Sequence, residues 1–293
     1  KRIMPENTID KDELIRQLPE SSIINRMSLE ARKKEVMKEL SLQTAYYEPA
    51  RIQLTFRGKP TIKSWGIYAD FAGYALDKYA NMVALLGADQ SYELGSRGVI
   101  PGKDDYQLIV TGTAVGSFGF EIEEAPKDTR LLAEFSPVKI AMEKTNLIME
   151  LSARSSDEEI AKAIEGISQR AIEGIRSFLE VMENYEADFA IKLDDSILRF
   201  DDLEQIKNTR ERLSTDNIIE GERELLGTFQ GVLPFGRKFE FRIKEPEEII
   251  EGKINPDIDD ANKIIQLVGI PTKIQVHTKQ VGTSRPRYTL NSY

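Results

Sequence analysis

The sequence predicts an α+β protein of 293 residues. It should comprise a helix on an antiparallel sheet in an N-terminal unit, a helical middle, and a small C-terminal antiparallel β domain that is barrel-like. Three observations carry this. Apolar residues alternate in short runs between 50 and 124, they recur at spacings of three and four between 160 and 182, and from 217 onward short β-prone runs are split by glycine and proline.

Taken in order, the chain divides into an N-terminal helical arm (1–49), an α+β unit with a glycine-rich hairpin (50–130), a helical region (131–216) and the small β domain (217–293). In the arm, 10–20 and 28–46 read as helices, with Ser28 as N-cap of the second. ARIQLTFR at 50–57 alternates Ile52, Leu54 and Phe56 with polar residues and reads as a strand. Gly58-Lys59-Pro60 turns the chain, and 61–64 forms a short partner strand. From 68 to 86 Phe71, Ala75, Met82 and Leu86 make a helical stripe, with Gly87 placed to stop it and Lys78 and Tyr79 as polar handles. YQLIVT at 106–111 and SFGFEIEE at 117–124 alternate as the two strands of a hairpin joined through Thr111–Gly116. Ser136 and Pro137 open a helix. A long helix over 157–183 carries Ile160, Ile164, Ile167, Ala171, Ile175, Phe178 and Met182 on one stripe, fit for pairing within the chain or across a dimer. A short strand lies within 188–200, a helix covers 200–213, and a short helix covers 259–268.

Composition narrows the chemistry. There is no cysteine, so disulfides, thiolate nucleophiles and cysteine metal sites are excluded. A single histidine excludes multi-histidine zinc sites and leaves any serine–histidine arrangement dependent on His277. No run of about 18 apolar residues exists, so the expectation is a cytoplasmic protein with no membrane partner. A net charge of −9 speaks against whole-chain attraction to nucleic acid. The charge is uneven, however: after Asp260 the tail holds Lys263, Lys273, Lys279, Arg285 and Arg287 and no acid.

The glycine-rich stretch fails both common phosphate-loop patterns. Gly112 and Gly116 are followed by Ser117 and Phe118, with no Gly-Lys, and Gly112, Gly116 and Gly119 lack the dinucleotide spacing. The simplest reading gives Gly112 and Gly116 turn conformations and uses Gly119 to let a helix approach the sheet. The functional alternative gathers Arg97, Lys103 and Asp105 from the preceding loop with Thr111, Gly112, Thr113 and Gly116 into an anion or nucleotide pocket. Asp104 and Asp105 read as turn residues before metal ligands, and no metal site is assigned.

The segments LGSRGVIPGKDDYQLIVTG and GTAVGSFGFEIEE, over about 50–125, resemble a segment shared by an uncharacterised bacterial family. Some members are linked to mobile elements or phage defence. A vaguer similarity covers 227–245 and 285–290. The resemblance implies a component of a bacterial multi-protein system, and no catalytic residue or cofactor is carried over from it.

In TKIQVHTK, His277 reads as a solvated barrel residue. With Lys273, Lys279, Arg285 and Arg287 it forms an alternative basic face for nucleic acid, against the simpler reading of a basic edge that discourages sheet-to-sheet association or pairs with the chain's own acidic 246–260 loop. The acidic pairs Asp194-Asp195 and Asp201-Asp202 and the run 257–260 lack the EF-hand pattern. Trp65 is expected in the core or at its shoulder, with an interface anchor as the alternative. The leading expectation is a non-catalytic binding or assembly subunit with a protein partner or self-association. A nucleotide- or nucleic-acid-processing enzyme built on the glycine loop and nearby carboxylates is the first alternative, and nucleic-acid binding by the C-terminal β domain is the second.

Overall fold

The structure, a computed structural model, describes residues 49–114, 118–126 and 136–293. The helices expected at 10–20 and 28–46 lie outside the described residues. The described chain is an α+β protein, built around two hydrophobic cores.

The first core lies between helices and one face of an antiparallel five-stranded sheet of order β4-β5-β1-β6-β7. Its strands are β1 (Arg51–Gly58), β4 (Leu108–Ala114), β5 (Phe118–Glu124), β6 (Ala187–Leu193) and β7 (Ser196–Phe200), with β2 (Thr61–Ile62) and β3 (Gly66–Ile67) forming a separate small hairpin. The alternation of β1 does what the sequence predicts. Ile52, Leu54 and Phe56 are buried, and they pair across the register with Ile122, Phe120 and Phe118 on one side and Leu193, Ile191 and Phe189 on the other. The other face of the sheet presents Gln53, Thr55, Ala190, Lys192 and Arg199, and no helix of the described residues covers it.

On the buried face lie α1 (Ala69–Ala88), α2 (Pro137–Arg154), α3 (Asp157–Ala163), α4 (Gln169–Asn184) and α5 (Leu203–Arg212). Edge-to-face contacts tie the layers. Phe71 meets Phe56 at 5.0 Å, Tyr79 meets Phe178 at 5.8 Å, and Phe178 meets Phe189 at 5.1 Å. Each such buried ring contributes roughly 1.5–3 kcal/mol through area removed from water. Ser136 caps α2 from its side chain with Pro137 at the first turn, as the sequence indicates.

Several expected elements differ in detail. The long helix over 157–183 is two helices. Gly166 adopts φ +76°, and Ser168 caps α4 by accepting from Ala171 N, so the chain turns at 164–168 while Ile164 and Ile167 stay buried. The periodicity survives the break because the turn keeps the same face inward, and the stripe pairs within the chain. Gly87 does not stop α1. It lies inside the helix where the Tyr106 ring crosses, and the Tyr106 hydroxyl donates to Gly87 O at 2.8 Å. Residues 103–106 form a 3₁₀ turn, so β4 begins at Leu108 and runs through Ala114. The short strand within 188–200 is a full hairpin, β6–β7.

The second core fills a closed five-stranded barrel of order β10-β12-β11-β8-β9. Its strands are β8 (Ile218–Leu233), β9 (Lys238–Ile243), β10 (Glu248–Ile254), β11 (Pro271–Val281) and β12 (Arg287–Ser292). The first strand, β8, is long enough to pair with both β9 and β11, and the barrel closes through a parallel pairing of β10 with β12. The helix expected at 259–268 is a 3₁₀ segment, Ala261–Leu267, between β10 and β11. Phe229, Phe239 and Phe241 fill the interior edge to face. Among the described residues no helix is long and apolar enough to cross a membrane.

A Cβ at Gly87 would overlap the Tyr106 ring directly. Gly87→Ala should therefore lower the unfolding free energy by about 1–3 kcal/mol in a urea titration, with no change of fold by circular dichroism.

Candidate functional site

The pocket residues drawn from the glycine-rich stretch do not converge. Thr111 lies in β4 on the open face of the sheet, donating to Glu123 Oε1 at 2.9 Å. Glu123 in turn pairs with Arg51 at 2.9 Å. Gly112 is a strand residue beside a bulge between Val110 and Gly112, opposite Glu121, and its φ is not positive. Thr113 is exposed on the same edge strand, and Gly116 lies outside the described residues. Gly119 makes room for a neighbouring strand and not for a helix: a Cβ there would overlap the Leu54 carbonyl of β1.

The loop residues sit on the opposite, helical side. Lys103 Nζ donates to Asn81 Oδ1 of α1 at 2.8 Å. Asp105 lies in the 3₁₀ turn. Arg97 is exposed on a loop that Arg170 of α4 clamps, donating to Gly95 O at 3.1 Å and also to Gly98 O. The sheet therefore separates Arg97 and Lys103 from Thr111.

The tail cations divide among three environments. Lys273 pairs with Glu224 at 2.8 Å, and His277 Nδ1 lies 3.0 Å from Glu222 Oε1, both on the outward face of β11 against β8. Lys279 shares that face of the strand, at the end covered by the helical layer. It is buried, with Nζ 2.5 Å from Ile167 O, 3.5 Å from Ile164 O and 2.5 Å from Glu220 Oε1. A lysine ammonium has three donors, and here each has an acceptor. The break between α3 and α4 supplies two of these acceptors: Ile167 O, and Ile164 O, which also accepts from Ile167 N at 3.1 Å.

Arg287 reaches Glu158 at 2.8 Å and Glu165 at 3.7 Å, while Lys253 holds Glu165 at 3.0 Å. These residues, with Lys162, Lys238 and the Arg285 side chain, line a cleft of about 890 Å³ between α3 and the barrel. The acids that meet the basic tail are thus Glu158, Glu165, Glu220, Glu222 and Glu224, and not those of the 246–260 loop.

At the same joint Asp157 accepts from Arg212 Nη2 at 2.9 Å and from Thr283 N at 3.1 Å. The Arg212 hydrogen bond, followed by that of the Thr283 amide, holds its carboxyl below the ordinary aspartate value of 3.8. Of the other acids noted in the sequence, Asp194 pairs with Lys139 at 2.6 Å, while Asp202 and Asp260 accept from backbone amides at the starts of α5 and the 3₁₀ segment.

A further surface has its one counterpart among the expectations from sequence in the alternative reading of Trp65 as an interface anchor. Trp65 is 82% exposed, at the turn of the β2–β3 hairpin, so neither core nor shoulder holds it. Tyr68 and Tyr74 are each 55% exposed. Tyr185, after α4, links them to the core, with its ring 6.4 Å from Tyr74 and 5.2 Å from buried Phe71. The hairpin is pinned by Tyr68 N donating to Pro60 O at 3.0 Å and by the Lys59–Glu186 ion pair. The signal present in the sequence is a tryptophan inside KSWG, a turn composition that core residues seldom share.

Compared with protein-family models, curated proteins and solved structures, the chain matches none.

Lys279→Met strands Glu220 and two carbonyls at the joint. It should cost about 3–5 kcal/mol in chemical denaturation, whereas Lys273→Met, at an exposed pair, should cost less than about 1 kcal/mol. For Asp157 the folded value is depressed, so its contribution is complete above the ordinary aspartate range and is lost as pH falls through the lower folded value. Asp157→Asn should therefore be less stable than wild type at pH 7, and the two melting curves should converge as the pH drops below about 4.

Proposed function

We propose that this chain is a non-catalytic binding or assembly subunit, docking a partner protein on the aromatic end of its helix-and-sheet layer. One observation carries the reading: Trp65, Tyr68 and Tyr74 are all exposed within one short stretch of chain, from a pinned hairpin to the first turns of α1. Leaving an indole in water forgoes the gain from burying it. Tryptophan and tyrosine are also the residue types that dominate interface energetics, because they are large, stiff and amphipathic. The surroundings have the composition of an interface rim, with Lys63, Asp70 and the Lys59–Glu186 pair around an apolar centre. The family resemblance adds the setting, a bacterial multi-protein system with phage defence among its roles.

A second reading rests on the barrel. A long first strand that pairs with the second and fourth, a helical segment between third and fourth, and a third strand parallel to the fifth are the connectivity of the OB-fold. Such barrels bind oligonucleotides and oligosaccharides across the second and third strands. In this chain that face borders the cleft holding Lys238, Arg285 and Arg287, which favours a nucleic-acid strand there. Fold analogy alone carries little weight, and Glu248 and Glu251 in the same cleft oppose a polyanion. Binding of this kind would weaken steeply with salt and on Lys238→Ala and Arg285→Ala.

The leading reading is checked by native mass spectrometry of the protein isolated from its own cells. A stoichiometric protein complex is expected, lost in Trp65→Ser and Tyr74→Ser variants whose melting temperatures match wild type. A wild-type chain found alone, or a complex indifferent to both substitutions, overturns it.

A further inference from the structure

The geometry points to a second binding site, for a phosphate-bearing small molecule, in the groove between α1, α4 and the 95–102 loop. The groove has a volume of about 420 Å³, within the range of small-ligand sites. Its floor forms where Gly174 lets α4 approach α1: a Cβ there would come within 2.8 Å of Leu85 Cδ1.

The polar groups in it are unevenly engaged. Gln169 Nε2 is buried without a hydrogen-bond partner among the described residues, an arrangement that costs about 1–3 kcal/mol unless something accepts from it. Lys78, one turn along α1 from Tyr74, is half-buried in the groove wall, and no acid among the described residues pairs with it. Its ammonium brings three donors and the glutamine amide two.

One carboxylate, Glu173, lines the groove itself. Glu173 is held by Arg176 at 2.6 Å, and Asp77 accepts from Asn81 at 3.0 Å. Asp89 has already taken the N-terminus of α4, accepting from Ser168 N at 2.9 Å, so the helix end itself is not the attraction. Arg170 adds a cation fixed in place by its two loop carbonyls.

Lys78 and Arg170 outnumber the one lining carboxylate, Glu173, which Arg176 partly neutralises, and this balance describes a site for an anion; the number of donors suits the several oxygens of a phosphate better than the two of a carboxylate. Leu85 and Ile100 supply an apolar wall for the body that carries the phosphate. The site shares no lining residue with the aromatic surface or the barrel cleft.

The test titrates the full chain with inorganic pyrophosphate, ADP and citrate by calorimetry. Pyrophosphate and ADP are expected to bind, with Lys78→Gln and Gln169→Leu each weakening them by about tenfold or more. Arg285→Ala should leave binding unchanged. Both groove substitutions are surface or isosteric changes, and matched thermal melts would verify their folding. No binding up to millimolar concentration overturns the proposal, as does binding indifferent to both groove variants or binding lost in Arg285→Ala. Citrate binding as tightly as pyrophosphate overturns the phosphate assignment.

Discussion

The buried ammonium of Lys279 is the constraint around which the two cores are arranged. A cation removed from water is tolerated only where oxygen replaces its hydration. Here the replacement comes from two carbonyls at the α3–α4 break and from Glu220 of β8. That requirement explains why the break sits where it does. A continuous helix would have spent the Ile164 and Ile167 carbonyls on its own ladder, leaving the ammonium with Glu220 alone. Asp157 works from the other side of the joint, accepting from Arg212 of the helical layer and from Thr283 of the β11–β12 turn. The two interactions face opposite ways, cation from barrel to helices and anion from helices to barrel, so sliding the layers would cost Lys279 its carbonyl acceptors and Asp157 its Thr283 amide.

Much of the fold is legible because it follows from period alone. β1 alternates and is a strand, the C-terminal runs bounded by glycine and proline are barrel strands, and the 160–182 stripe, repeating at three and four, is buried helix on both sides of a break. What escapes are features in which one residue overrides the pattern. Gly166 and Ser168 break a helix without disturbing its stripe, because positive φ and a cap are local while burial is set by the face. Gly87 has the position of a terminator and is a notch for an aromatic ring. The candidate sites fare less evenly, since spacing along the chain does not say which side of a sheet a residue occupies. Thr111 and Lys103 are close in sequence and stand on opposite sides. Strict alternation puts Lys279 on the face of Lys273, and it holds until the strand reaches the helical layer, where an outward position becomes an inward one.

The surfaces left over are of three chemical kinds. One end of α1 carries exposed aromatic rings, its middle borders a groove with unused donors, and the barrel cleft mixes cations with glutamates. Placing the first two on one rigid helix puts them about one turn apart, Tyr74 to Lys78. Whatever fills the groove therefore lies close to whatever covers the rings, and the charge it brings would be felt across that distance, well inside a Debye length at physiological salt.

The barrel's own strands also reach beyond it. Ile218 at the start of β8 and Val281 at the end of β11 are buried in the first core and not in the barrel's interior. The two cores are thus stitched by shared strands, in the manner of planks that run through a wall into the next room. A cut at the boundary the sequence marks would sever those planks and leave each half with an exposed apolar seam. The barrel is therefore not a cassette that could be shuffled onto another protein intact. Heat or denaturant that opens one core should open the other with it, so the described region melts as a single cooperative unit.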